Sequence, residues 1–178
     1  MGSLDDKVIF ITGAARGQGR AHAVTAAREG ADVVLLDVCG QIDGIRYPLA
    51  TEDDLIKTQK LVEERGRCAV AVVGDVRDQG ALDSAVALGL ESFGRIDGAI
   101  ANAGVWDLSP PAWKITEELY TLIVDTVMGG VFRTIKAVSP HLVERRTGAI
   151  VVSPRWADLN RPRASPPTSR QSTVRSVS

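Results

Sequence analysis

"KVIFITGAARGQGRAHAVTAAREGADVVLLDV", residues Lys7–Val38, decides the fold. Its opening, Lys7–Thr12, is short, apolar and β-branched, as a strand covered on both faces requires. Three glycines follow at Gly13, Gly17 and Gly19. Beyond them the Ala and Val positions of "GRAHAVTAAREGA" fall on one helix face, and Gly30 stands where that helix should stop. Asp32–Val38 is a second buried strand. Strand, glycine turn, helix and strand in this order form a crossover unit with parallel strands.

The same alternation continues downstream. "LATEDDLIKTQKLVEERG" reads as a helix capped by Thr51, with acidic residues in its first turn. "CAVAVVGDV" is a third strand, "QGALDSAVALGLESFG" a third helix and "IDGAIANAG" a fourth strand. A long helical stretch from Pro111 to Gly148 is expected in two pieces, with Pro140 kinking or ending the first. "GAIVVS" is a fifth strand. Five strands alternating with helices predict an α/β fold: a doubly wound parallel sheet with helices on both faces.

Composition sets the limits. The chain has 178 residues, enough for one domain with a sizeable core. A net charge of −1 gives no basic field for nucleic acid. Cys39 and Cys68 form neither a disulfide framework nor a metal-ligand pattern, which fits reduced thiols in a cytoplasmic protein. The N-terminus lacks the basic and apolar regions of a signal peptide, and Asp6 stands where a myristoylation motif needs Ser or Thr. No apolar run approaches the roughly 18 residues of a membrane span. The composition changes at Pro154: residues 154–178 are rich in Pro, Arg and Ser and lack apolar periodicity, so a disordered tail is expected to follow a domain of residues 1–153.

The glycine spacing is G-x-x-x-G-x-G. Glycine allows a tight turn and lets backbone and helix N-terminus approach a pyrophosphate. Asp37 ends the second strand, where a carboxylate can accept both ribose hydroxyls of an adenosine and repel a 2′-phosphate, which favours NAD over NADP. A ligand-free turn and a solvated strand-end Asp are the structural alternatives.

Four motifs carry a resemblance to the classical short-chain dehydrogenases/reductases: "TGAARGQG" at Thr12–Gly19, Asp37, "DV" at Asp75–Val76, and "NAG" at Asn102–Gly104. The resemblance spans residues 4 to about 153. It implies a Rossmann-type sheet in the order 3-2-1-4-5, continued in the family by two further strands that are missing here. It implies that NAD lies on Gly13, Arg16, Gly17, Gln18 and Gly19, with Asp75 and Val76 at the adenine edge. Asn102, Ala103 and Gly104 would brace the sheet and contact the nicotinamide half. The insert "VCGQIDGIRYPLATEDDL" resembles the mycofactocin-associated, carveol-dehydrogenase-like branch, where it implies a loop covering a tightly held NAD. By family the substrate is a small alcohol or ketone and the assembly a homo-tetramer.

The family's catalysis needs a serine after the fifth strand and a Tyr-x-x-x-Lys motif. Tyrosine is the general acid/base, and lysine lowers its pKa and holds the nicotinamide ribose. Here Thr51 stands four residues after Tyr47 and Val124 four after Tyr120. Arg155 occupies the expected serine position; Ser153, two residues early, is the remaining candidate. Val127 stands where the family has an asparagine. Trp106, Trp113 and Trp156 are cleft candidates, with local packing the plainer reading of the first two. "VERR" at Val143–Arg146 reads as a solvated helix end.

Reading residues 154–178 one base earlier restores the pattern. Trp156 has only the codon TGG and Ala157 begins GC, so their shifted codon is glycine. With permitted third bases the segment reads "SSVGGLKPAPGFSSYVAAKHGAVGL". Tyrosine then falls at the position of Thr168, lysine at that of Ser172 and serine at that of Arg155. The expectation is an oxidoreductase message that lost about one base near codon 153, leaving a catalytically inactive product. Two other readings stay open: an evolved noncatalytic NAD-binding protein, and a structural or interaction fragment without nucleotide.

Overall fold

A computed structural model describes residues 2–106 and 110–153. The expected tail, with Arg155, Trp156, Thr168 and Ser172, lies outside the described residues. Five strands, β1 (Val8–Thr12), β2 (Asp32–Asp37), β3 (Ala69–Val73), β4 (Gly98–Ala101) and β5 (Ala149–Val152), form one sheet in the order β3-β2-β1-β4-β5. Every adjacent pair is parallel. The helices are α1 (Gly17–Arg28), α2 (Glu52–Glu63), α3 (Gln79–Phe93), α4 (Glu117–Val124) and α5 (Gly130–Glu144).

Strand alternation divides the core between the two faces. Ile9, Ile11, Val33 and Leu35 join the small residues of α1 and Leu55 and Val62 of α2. Val8, Phe10, Val34 and Leu36 join Leu82 and Val86 of α3 and Val138 and Leu142 of α5. Both layers bury apolar surface at about 25 cal/mol per Å², so a one-residue slip of β1 or β2 would exchange the two sets. β1 is buried throughout, whereas Val151 and Val152 of β5 are exposed, and β5 has no strand on its outer side among the described residues.

Local chemistry explains the helix ends. Thr51 and Asp54 form a reciprocal capping box at the start of α2. Asp78 caps α3, which stops at Gly94 in the left-handed conformation. Thr116 caps α4.

Pro140 does not end a helix, one of the two outcomes expected of it. It lies inside α5, which runs on to Glu144. An interior proline costs about 3 kcal/mol. Continuation is held by packing on either side, with Val138 and Leu142 in the core, and by His141, whose Nε2 accepts a hydrogen bond from the Ile96 N–H at 3.2 Å. α4 and α5 are instead joined through a wider π turn, Asp125–Gly129, with helical backbone at both junctions. The "VERR" segment is also only partly solvated: Arg145 approaches the Asp97 carboxylate at 3.4 Å and ties the end of α5 to the start of β4.

Candidate functional site

Among α1 to α4, α1 alone begins without a side-chain cap. Its N-cap residue, Arg16, is extended, makes no capping hydrogen bond, and is followed by no acidic residue in the first turn. α2, α3 and α4 are each closed by a Thr or Asp side chain. An open N-terminus presents unpaired N–H groups and the positive end of the helix dipole, and so suits an anion. This end opens onto a cavity of about 410 Å³ at the carboxyl ends of β1, β2 and β4.

The glycine loop shapes the approach. Gly13 has φ +66°, and a Cβ there would lie 2.8 Å from the Ala103 Cα. A Cβ on Gly19 would lie 1.9 Å from the Gly13 carbonyl oxygen. Gly19 is therefore a packing residue: it is buried beneath the loop and does not line the cavity. The other ten sequence-derived positions all line it: Gly13, Arg16, Gly17, Gln18, Asp37, Asp75, Val76, Asn102, Ala103 and Gly104.

Asp37 is almost buried. One carboxylate oxygen accepts the Ala15 N–H at 2.9 Å and the other the Cys39 N–H at 3.3 Å. It therefore braces the glycine loop as well as facing the cavity. Asp75 accepts hydrogen bonds from the Arg77 backbone N–H (2.8 Å) and guanidinium (2.5 Å). Burial alone would raise the Asp75 pKa, but the Arg77 bonds outweigh it and hold the carboxyl below the usual carboxylate range.

Asn102 and Thr12 lock β4 to β1. The Thr12 hydroxyl accepts the backbone N–H groups of Asn102 (3.0 Å) and Ala103 (3.1 Å). The Asn102 amide donates back to the carbonyls of Thr12 (3.0 Å) and Gly13 (3.2 Å). The site edge from Asn102 to Gly104 is thereby fixed to the turn that opens the glycine loop.

The insert contributes wall residues that motif reading missed: Ile42, Leu49 and Ala50 line the cavity, as do Val105 and Thr126. Ile42 and Ile45 are buried with Val105 and Leu119. The Gln41 amide bonds the Ile45 carbonyl (2.6 Å), and the Tyr47 hydroxyl accepts the Trp106 N–H (3.2 Å). The insert is thus a folded wall joined to α4. Isolated apolar residues among Gly and Pro carry no periodicity, so only the presence of Ile42, Ile45 and Leu49 in a loop hinted at burial.

Cys39 begins this wall with φ +48°. Burial first, then the nearby carboxylates led by Asp37, push its thiol up to about 12, so it is protonated and no nucleophile at neutral pH.

The catalytic candidates do not converge. Ser153 follows β5, where its N–H bonds the Ala101 carbonyl at 3.1 Å, and neither it nor Tyr47 nor Tyr120 lines the cavity. Val127 sits in the π turn and packs toward Gly104. Trp106 is half exposed and Trp113 mostly exposed, and neither lines the cavity. No group of three or more His, Cys, Asp or Glu is placed for a metal ion among the described residues, and no described helix is long and apolar enough to cross a membrane.

Comparison with known proteins gives a consistent result. Residues 7–154 match the family model for short chain dehydrogenase. The chain is 40% identical over 160 residues to the (-)-trans-carveol dehydrogenase of Rhodococcus erythropolis, covering 89% of this chain and 58% of that protein. It is 43% identical over 152 residues to an uncharacterised NAD-dependent oxidoreductase of Mycobacterium tuberculosis, covering 85% of this chain and 55% of that one. A crystal structure of carveol dehydrogenase from Mycobacterium avium in complex with NAD superposes with a TM-score of 0.81 at 45% identity, over 85% of this chain and 55% of that one. The chain spans little more than half the length of these relatives.

Proposed function

The chain belongs to the short-chain dehydrogenase family, and from that premise we propose that its cavity is an NAD site. The carrying observation is the open α1 N-terminus facing the same cavity as Asp37, Asp75 and Asn102. The residues fit the cofactor. The α1 end and the glycine loop, at Gly13, Arg16, Gly17 and Gln18, offer N–H groups to the pyrophosphate, and Gly19 lets the helix sit close enough. Asp37 accepts the adenine ribose hydroxyls; Asp75 and Val76 flank the adenine; Asn102, Ala103 and Gly104 flank the nicotinamide half. The insert closes the outer wall. NAD bound there would supply the hydride acceptor for interconverting an alcohol and a carbonyl compound, the substrate class of the carveol-dehydrogenase-like branch. The mycofactocin association and a cytoplasmic location remain part of this reading, while the tetramer is a property of the intact family.

These 178 residues contain no Tyr-x-x-x-Lys. We assign them no turnover, because the family's tyrosine–lysine pair is missing and no tyrosine or lysine lines the cavity among the described residues. Loss of a positioned acid/base costs about 10²–10⁴-fold. The out-of-frame reading of residues 154–178 supports a slipped message, with the family's pattern kept in frame up to residue 153. The alternative is a noncatalytic NAD-binding protein; the coding DNA around codon 153 separates the two. Calorimetric titration tests the site itself. NAD should bind, and NADP should bind more weakly, because Asp37 faces the 2′-phosphate with a repulsion on the order of 1 kcal/mol. Absence of NAD binding, or equal affinity for NADP, refutes the assignment.

A further inference from the structure

Arg20 lies in the first turn of α1 and does not line the cavity, yet its guanidinium holds the loop that does. Its Nη2 donates to the carbonyl oxygens of Ala15 (2.5 Å) and Asp54 (2.9 Å) and meets the Asp54 carboxylate at 3.3 Å. Its Nε donates to the Thr58 hydroxyl at 2.9 Å. Thr58 is fully buried, and its hydroxyl donates onward to the same Ala15 carbonyl at 2.9 Å. Two donors from two helices thus converge on one loop carbonyl.

Ala15 is held on its other side as well, since its N–H donates to Asp37. The residue cannot rotate without breaking one set of bonds. Peptide planarity adds a consequence: with the Ala15 carbonyl fixed toward α2, the N–H of Arg16 must point away from α2. The far end of the clamp reaches the insert. Asp54 belongs to the capping box with Thr51, and Thr51 directly follows Leu49 and Ala50 of the cavity wall.

We infer that Arg20 is a positioning residue for cofactor choice: by clamping Ala15 to the start of α2, it fixes the Asp37 carboxylate and couples the glycine loop to the insert. The inference rests on the NAD reading of the cavity. Arginine suits the role because its planar fork reaches Ala15, Asp54 and Thr58 together; a lysine ammonium has one compact centre on a flexible stem. When the clamp is lost, Ala15 is free to turn, Asp37 loses its fixed donor, and the carboxylate can swing from the place where it would oppose a 2′-phosphate.

The test uses the full 178-residue chain and its Arg20→Lys, Arg20→Gln and Thr58→Val variants, titrated with NAD and with NADP. Amide hydrogen exchange is followed in the nucleotide-free proteins. Arg20→Gln and Thr58→Val should weaken NAD binding about tenfold, the scale of one lost charge-assisted bond, and lower the NAD-to-NADP affinity ratio by a similar factor. Arg20→Lys should fall between these and the parent. Exchange should quicken both in residues 13–20 and in residues 38–50. A merely structural arginine would lower the melting temperature and weaken both nucleotides in parallel; an unchanged ratio therefore overturns the inference. If the parent binds neither nucleotide, the cavity assignment fails by itself. The clamp is then decided by exchange alone, and an unaltered insert in Arg20→Gln refutes it.

Discussion

Replacing Thr12 by valine removes one hydroxyl while keeping the shape of the side chain. Thr12 is fully buried, and its oxygen accepts two backbone N–H groups, from Asn102 and Ala103. Each donor left without a partner costs about 1–3 kcal/mol, so full burial would give about 2–6 kcal/mol. Asn102 and Ala103 are only partly buried and border the cavity, where water can replace part of the lost bonding. We therefore expect about 2–3 kcal/mol, a large share of the 5–15 kcal/mol typical of a domain. With a urea slope of about 2 kcal/mol per molar, the midpoint should fall by about 1–1.5 M. Thr12→Ser keeps the oxygen and should lose far less. Urea unfolding followed by circular dichroism measures both. If Thr12→Val stays within about 0.5 kcal/mol of the parent, or Thr12→Ser falls as far as the valine, the hydroxyl does not hold β4 to the glycine loop.

Further expectations follow from other elements. Gly19→Ala forces a Cβ to within 1.9 Å of the Gly13 carbonyl oxygen, so the loop and α1 must separate; NAD binding should be lost in calorimetry, with about 1–3 kcal/mol of stability. Asp97 accepts the Val8 N–H at 3.0 Å and pairs with Arg95 and Arg145. Burial would raise its pKa, but the Arg95 bonds and the Val8 N–H outweigh that and lower it. The stabilisation is then present above the unfolded Asp value of about 3.9 and lost as pH falls through the lower folded value. Unfolding midpoints of the parent and Asp97→Asn should differ at pH 7 and converge at acid pH, and a constant gap would contradict the reading. Tyr120, Met128 and Phe132 project from α4, the π turn and α5 with more than half their surface exposed. An apolar stripe of this kind favours self-association. Met128→Glu with Phe132→Glu should shift the chain toward a monodisperse species in size-exclusion chromatography.

Much of the architecture was legible because it depends on short-range pattern. β-branched runs such as Val8–Thr12 and Asp32–Asp37 read as buried strands, and Thr51 marks a helix start by its own chemistry. Continuation of α5 through Pro140 was not legible, because a local penalty of a few kcal/mol says nothing of the core contacts that offset it. The π turn at Asp125–Gly129 was equally invisible, since no residue type demands it.

At the site, sequence supplied the glycine loop and Asp37 through residue type at a fixed offset from a strand end, and Asp75–Val76 and Asn102–Gly104 only through the family resemblance. It also supplied the absence of the Tyr-x-x-x-Lys pair, which is a matter of spelling. Tertiary structure decided how those residues act on one another. It placed Gly19 beneath the loop instead of at the cavity, turned the Asp37 carboxylate toward Ala15, made the insert a wall, and drew Arg20 and Thr58 onto the same carbonyl. Thr58 and Ala15 stand 43 residues apart. A hydrogen bond over that separation exists only after α2 has packed against the sheet, and no local pattern encodes where the packed helix will set its hydroxyl.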